Sequence, residues 1–161
     1  MLVTAKAGNL EAMFETAVAY HNGSGVPRDF IQSTYWSQKA AERGHPVAIS
    51  MLIRAYRVGE GGPPNLAGAV RWELVAAQNG NVIAMGDLVR AYRRGEGVPR
   101  NNVEADKWLK QYAAAAPGSP DPAGPPEALE RYWRGEATRA AGDASAAARD
   151  GKEAVSRQPS H

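Results

Sequence analysis

Hydrophobic positions in the first sixty residues recur at the spacing of an α-helix with one buried side. Between residues 9 and 20, and again between residues 45 and 56, apolar or small side chains return every three or four positions. They are Ala12, Met13, Thr16, Ala17 and Tyr20 in the first stretch and Ala48, Ile49, Leu52, Ile53 and Tyr56 in the second. This pattern predicts an amphipathic helix in each stretch.

One ten-residue segment occurs three times at a constant interval. It reads AYHNGSGVPR at 19–28, AYRVGEGGPP at 55–64 and AYRRGEGVPR at 91–100, with a step of 36 residues. The same step aligns Trp36, Trp72 and Trp108 without any gap. A fixed period of this length indicates that each copy is one structural unit with loops of constant length. Residues 36 apart are called equivalent below.

Each copy has the sequence features of a helical hairpin. The first helix should end at Gly23-x-Gly25, where glycine tolerates the positive φ that closes a helix. A residue suited to cap a new helix follows, namely Asp29, Asn65 or Asn101 in the three copies. A hairpin alone leaves much of its apolar surface in water, so the copies are expected to stack into an all-α solenoid.

The corner Gly-x-Gly-Val-Pro-x-Asp at 23–29, followed by Trp36 and by Ala-Ala-Glu-x-Gly at 40–44, resembles the Sel-one-like repeat, a relative of the tetratricopeptide repeat. The family's first-helix pattern, Ala-x-x-x-x-Leu-Gly-x-x-Tyr, is matched in part: each copy has the tyrosine, but the position of the family's small residue holds Ala17 and then the larger Ile53 and Val89. The resemblance covers about residues 5–116. It implies a right-handed α-α superhelix of antiparallel helix hairpins. One departure is Tyr112, which replaces the alanine found at equivalent positions 40 and 76.

The repeat register divides the chain into six segments. Residues 1–7 are expected to be the end of a preceding repeat helix, or alternatively a short cap. Residues 117–126 are rich in proline and glycine, which predicts a linker. Residues 127–161 are interpreted as a degenerate tetratricopeptide-like hairpin or, alternatively, a loosely ordered tail. The three repeats span 8–43, 44–79 and 80–116.

Composition and charge narrow the classes of function. The chain has 161 residues, no cysteine and a net charge of +2, which is too small to indicate nucleic-acid binding by itself. It contains no apolar run of membrane-spanning length and no signal-peptide pattern, so a cytoplasmic location is favoured unless the chain is a fragment of an exported protein. The compartment otherwise stays open.

The resemblance implies that the first helix of each hairpin lines a concave face. The family's concave positions map onto Phe14, Val18, His21, Ser50, Arg54, Arg57, Gly86, Arg90 and Arg93. Four of these are arginines, in two pairs three residues apart, so each pair lies on one helical face. We interpret this grid as a binding site for a carboxylate-rich peptide, since guanidinium groups grip carboxylates through two bonds. The alternative is a solvated face on which arginine stems cover apolar surface.

Catalysis is not expected. His21, His45 and His161 show no metal-ligand spacing, and Ser24 lies in a corner without a nucleophile-elbow motif. Some cysteine-rich relatives have been linked to cell-wall or β-lactam chemistry, but this chain has no cysteine. No cofactor, metal or small-molecule substrate is therefore expected.

The remaining alternative is an RNA-binding solenoid. Tyr56 and Tyr92 occupy predicted core positions rather than stacking platforms, which disfavours it. The sequence thus predicts a non-catalytic scaffold or adaptor that binds a protein or an acidic peptide on its concave face. The family resemblance implies roles in assembling signalling, secretion or envelope complexes, mostly in bacteria.

Overall fold

The computed structural model describes residue 5 and residues 8–124, and within these ranges all regular structure is helical. Six helices follow one another, each packed against the next along the chain. Hairpin 1 contains α1 and α2, hairpin 2 contains α3 and α4, and hairpin 3 contains α5 and α6. Their bounds are Leu10–Asn22 (α1), Phe30–Ala41 (α2), Pro46–Val58 (α3), Leu66–Gln78 (α4), Val82–Arg94 (α5) and Asn102–Ala115 (α6). The fold is an all-α repeat solenoid, as the sequence predicts.

Polar side chains begin every helix. The predicted caps Asp29, Asn65 and Asn101 each accept hydrogen bonds from backbone N–H groups in the first turn of the second helices. The first helices start in the same way, at Asn9, His45 and Asn81. His45 therefore has a structural role, because its Nδ1 accepts from the backbone N–H of Ala48 at 3.2 Å.

The corner glycines perform two different tasks. The first of each pair ends its helix in the left-handed conformation, with φ of 75° at Gly23. The second also has a positive φ, but in hairpins 2 and 3 it additionally touches the preceding hairpin. A Cβ on Gly61 would lie 2.5 Å from the carbonyl oxygen of Phe30, and one on Gly97 would lie 2.5 Å from that of Leu66. Hydrogen is the only side chain that fits this contact between hairpins.

The core runs between successive hairpins. Leu52 and Leu88, which are equivalent, are both fully buried. Trp36 and Trp108 are buried, whereas Trp72 is half-buried but packs against the same apolar cluster. The three indoles thus belong to one continuous core, as stacked repeats require.

The ends of the described region extend the repeat pattern. Ala5 is helical and fully buried, like its equivalents Ala41 and Ala77. After α6, residues 117–124 form turns that fold back on hairpin 3 and bury Pro122. The segment predicted as a hairpin or loose tail, 127–161, lies outside the described residues, as do all of residues 1–7 except Ala5. Among the described helices, none is long and apolar enough to cross a bilayer.

Candidate functional site

A groove of about 300 Å³ lies between the first helices of hairpins 2 and 3. Its α3 side carries Arg54 and Arg57, and its α5 side carries Asp87. Apolar side chains make up most of the remaining wall, and two of them, Val58 and Ile83, are 60% and 64% exposed. The full lining is Ser50, Ile53, Arg54, Arg57, Val58, Asn81, Ile83, Ala84 and Asp87.

The groove exists because one side chain of the repeat is small. In hairpin 1 the position equivalent to Ser50 is Phe14, whose ring stacks on His45 of hairpin 2 at 4.3 Å between centroids. In hairpin 3 the equivalent is Gly86, which is covered by Tyr112 and Pro122. Ser50 is exposed, and no comparable ring covers it within the described residues.

A buried ion pair lies beside the groove. Arg57 of α3 donates from Nε and Nη2 to Oε1 of Glu73 on α4, at 2.7 and 2.6 Å. Glu73 is fully buried, and its Oε2 has no hydrogen-bond partner among the described residues. Burial raises the pKa of Glu73 above its ordinary value, with a further contribution from nearby Asp87, although Arg57 and Arg90 oppose the shift.

Arg54 is the most exposed of the four candidate arginines, at 54% of its side chain. Its Nη2 donates to both carboxylate oxygens of Glu60 at 3.0 Å and also contacts Nε2 of His21. Glu60 comes from the corner after α3, so the pair closes within hairpin 2. Because both partners remain in contact with solvent, this interaction contributes little to stability and can be exchanged for another carboxylate.

The other two arginines are also paired. Arg90 donates to Asp87 one turn before it on α5, and burial raises the pKa of Asp87 despite that contact. Arg93 donates to Oδ2 of Asp121 at 2.6 Å. Partial burial acts to raise the pKa of Asp121, but hydrogen bonds from Arg93 and from the backbone N–H of Ala123 hold it below its ordinary value.

The repeat register corresponds to a known family. The Sel1 repeat model matches residues 10–45, 48–81 and 83–116, one match for each hairpin. The chain belongs to the Sel1 repeat family. Sel1 repeat proteins are generally non-enzymatic scaffolds for protein interactions. No curated protein matches the chain.

Solved structures that share the Sel1 repeat fold include the following two. One is a protective antigen of uropathogenic Escherichia coli strains that displays an SLR fold, with 34% identity, a TM-score of 0.61 and 70% of this chain covered. The other is a Sel1 repeat protein from Oxalobacter formigenes, with 29% identity, a TM-score of 0.58 and 67% of this chain covered. The matched region spans only 24% and 43% of those two chains.

Only some of the site residues predicted from the sequence line the groove between the second and third Sel1 repeats. Ser50, Arg54 and Arg57 come together in the groove. The others do not line it: Phe14 is stacked on His45, Val18 is half-buried and His21 contacts Arg54. In hairpin 3, Gly86 lies under Tyr112 and Pro122, Arg90 is paired with Asp87, and Arg93 is paired with Asp121.

Sequence reasoning missed the carboxylates. Glu60, Glu73, Asp87 and Asp121 each neutralise one candidate arginine, so the predicted grid carries its own counter-charges. One signal was available, because a glutamate at position 73 replaces Ser37 and Leu109 at equivalent positions that face the core. No cluster of residues suited to hold a metal ion occurs within the described region.

Proposed function

We propose that this protein is a non-catalytic interaction scaffold that binds an extended segment of a partner protein in the groove between α3 and α5. The observation that carries the proposal is the open site at Ser50, whose equivalents Phe14 and Gly86 both lie under or against rings. The general role of Sel1 repeat proteins in protein interactions supports the same conclusion.

Apolar contact is expected to supply most of the affinity. Complete burial of an exposed aliphatic side chain contributes about 1.5–3 kcal/mol, and Val58 and Ile83 are both more than half exposed at the groove. A micromolar complex needs about 8 kcal/mol, so the apolar side chains of the partner must contribute a similar amount.

Arg54 is expected to give selectivity. The four-arginine grid predicted from the sequence would attract any acidic peptide, but every one of these arginines has an internal carboxylate. Arg54 shares its carboxylate partner with solvent, so an incoming carboxylate can replace Glu60 there at little cost. The proposed partner is therefore an apolar segment with a carboxylate beside it rather than a highly acidic chain.

A peptide-display selection against the purified protein tests the proposal. Selected peptides should bind the wild type and lose at least tenfold in affinity with Ser50→Phe, which fills the groove with the side chain that hairpin 1 has at this position. Ala67→Phe is the matched control, because its equivalents Ile31 and Val103 show that a large apolar side chain is tolerated there. Equal binding by the wild type and Ser50→Phe would refute the groove as the site.

A further inference from the structure

Residues 117–124 show how a turn-forming segment lies against the first helix of a Sel1 repeat. The carboxylate of Asp121 accepts from Nη1 of Arg93 at 2.6 Å, and the ring of the next residue, Pro122, is buried against Gly86. Gly86 and Arg93 lie seven residues apart, two turns along one side of α5. An acidic residue followed directly by proline therefore satisfies both positions at once.

The same two positions of α3 line the open groove. The equivalents of Gly86 and Arg93 are Ser50 and Arg57, and both belong to the groove lining. Ser50 is small and exposed, so its site has room for a ring. On hairpin 3 the space beside Gly86 is filled by Pro122 of the same chain. On hairpin 2 the equivalent space beside Ser50 is part of the open groove.

One difference between hairpins 2 and 3 decides which arginine pairs with the carboxylate of the bound segment. Leu109 is the residue equivalent to Glu73, so Arg93 has no buried glutamate beneath it and is available to Asp121. Arg57 holds Glu73, whereas Arg54, one turn earlier on the same wall, is paired only with solvent-accessible Glu60. The incoming carboxylate therefore meets Arg54, with the exposed part of Arg57 beside it.

We infer that the groove between α3 and α5 recognises a partner segment in which an acidic residue is followed directly by proline, in the manner of Asp121–Pro122 on hairpin 3. This inference rests on the proposed function and names the chemistry of its ligand. Proline suits the site for a second reason, since its ring fixes its own φ before binding and the segment therefore loses less conformational freedom when it docks. The ring fills the space beside Ser50, and the carboxylate replaces Glu60 on Arg54.

A synthetic peptide with the sequence of residues 117–124, PGSPDPAG, is the probe. Its affinity for the full chain is measured by fluorescence anisotropy together with two variants, PGSPNPAG and PGSPDAAG. Removal of one charged hydrogen bond, or of the ring from an apolar site, should weaken binding about tenfold in each variant. Equal affinity of all three peptides would overturn the inference.

Protein variants determine where the peptide binds. Ser50→Phe should weaken binding at least tenfold, Ala67→Phe should leave it unchanged, and Glu60→Gln should strengthen it severalfold by releasing Arg54. Binding that survives Ser50→Phe would mean that the peptide displaces the chain's own segment from α5, and the inference would be wrong. Concentration-dependent self-association that Ser50→Phe abolishes would identify the occupant as a second copy's residues 117–124, which overturns the assignment to a separate partner.

The two proposals can fail separately. If displayed peptides bind in a Ser50→Phe-sensitive manner but carry no acidic residue followed by proline, the groove is the site and the ligand chemistry is wrong. If no peptide binding responds to Ser50→Phe, both proposals fail.

Discussion

The two junctions between hairpins have the same backbone plan and different side chains at two facing positions. At the first junction Phe14 of α1 stacks on His45, the residue that begins α3. At the second junction Ser50 stands where Phe14 stood and Asn81 stands where His45 stood, and a groove of about 300 Å³ remains open. A repeat protein can thus leave a groove open at one junction by omitting the stacked rings that fill the other.

The spacing of the hairpins does not explain the difference. Gly61 at the first junction and Gly97 at the second would each place a Cβ 2.5 Å from a carbonyl oxygen of the preceding hairpin. Asn9, His45 and Asn81 begin the first helices through the same kind of hydrogen bond. The open groove therefore results from the side chains at positions 50 and 81.

The largest expected effect comes from the buried charge of hairpin 2, which lies beside the second junction. Arg57→Met leaves the fully buried Glu73 without its partner, and loss of one member of a buried pair typically costs about 3–5 kcal/mol of unfolding free energy. His21→Met, at the equivalent position of hairpin 1, should cost less than about 1 kcal/mol. Urea denaturation of both variants measures the difference.

The double variant Arg57→Met/Glu73→Leu sharpens this result. It should recover most of the loss, because leucine is the residue of hairpin 3 at position 109 and leaves no buried charge. If Arg57→Met alone is as stable as the wild type, the ion pair does not stabilise the packing of α3 against α4 beside the second junction.

Alanine at the second corner glycine should disturb either junction. Gly97→Ala combines a positive φ of 75° with a clash against Leu66, so we expect a loss of about 2–4 kcal/mol. Gly25→Ala is the matched control, since Gly25 has the same φ and open space around it; its loss should be about 1–2 kcal/mol. Equal losses in thermal or urea denaturation would show that the contact between hairpins contributes nothing.

Phe14→Ser should make the first junction resemble the second. The variant loses the stacked ring, and with it about 1–2 kcal/mol of unfolding free energy, because Phe14 is only half-buried. The reciprocal Ser50→Phe should change stability by less than about 1 kcal/mol, since the ring enters existing space. A crystal structure of Phe14→Ser should then contain a groove between α1 and α3; a collapsed junction would contradict the comparison.

The smallest expected effect is a dependence of stability on pH. Burial raises the pKa of Glu73 above its ordinary 4.5, so the folded protein binds this proton more tightly than the unfolded chain does. The wild type should therefore lose stability relative to Glu73→Gln as the pH rises from about 4.5 through the raised pKa of Glu73. Urea denaturation at intervals between pH 4.5 and 8 measures this difference, and a difference that is independent of pH would contradict it.

The fold was predictable because every local signal occurs three times. Each corner has a glycine pair, and each second helix has an Asp or Asn cap. A chance match in one copy would not recur in the other two, so the threefold agreement makes the prediction reliable. The caps of the first helices could have been found in the same way, since Asn9 and Asn81 flank His45 in the alignment. The same alignment identifies His45 as a helix cap, so its presence does not require a bound metal or substrate.

The site was only partly predictable, because charge pairing depends on contacts between helices. A face of arginines can be read from α3 and α5 alone, but only Asp87, three residues before Arg90 on α5, lies on the same helix as its arginine. The other three partners lie on other segments: Glu73 on α4, Glu60 in a corner and Asp121 after α6. Helical spacing within one element does not show these pairs. The groove itself follows from what is missing beside Ser50, which becomes visible only when the neighbouring hairpin is in place.

The contact of Gly61 and Gly97 with the preceding hairpin has a consequence for the evolution of binding. The residues contacted are Phe30 and Leu66, which begin the second helices of hairpins 1 and 2. This end of each hairpin is opposite to the end at which the first helix begins. Because a hydrogen atom sets the closest approach there, a larger residue at position 97 would tilt hairpin 3 on hairpin 2 and alter the distance between α3 and α5. The width of the groove can then be changed by a corner residue that does not line it.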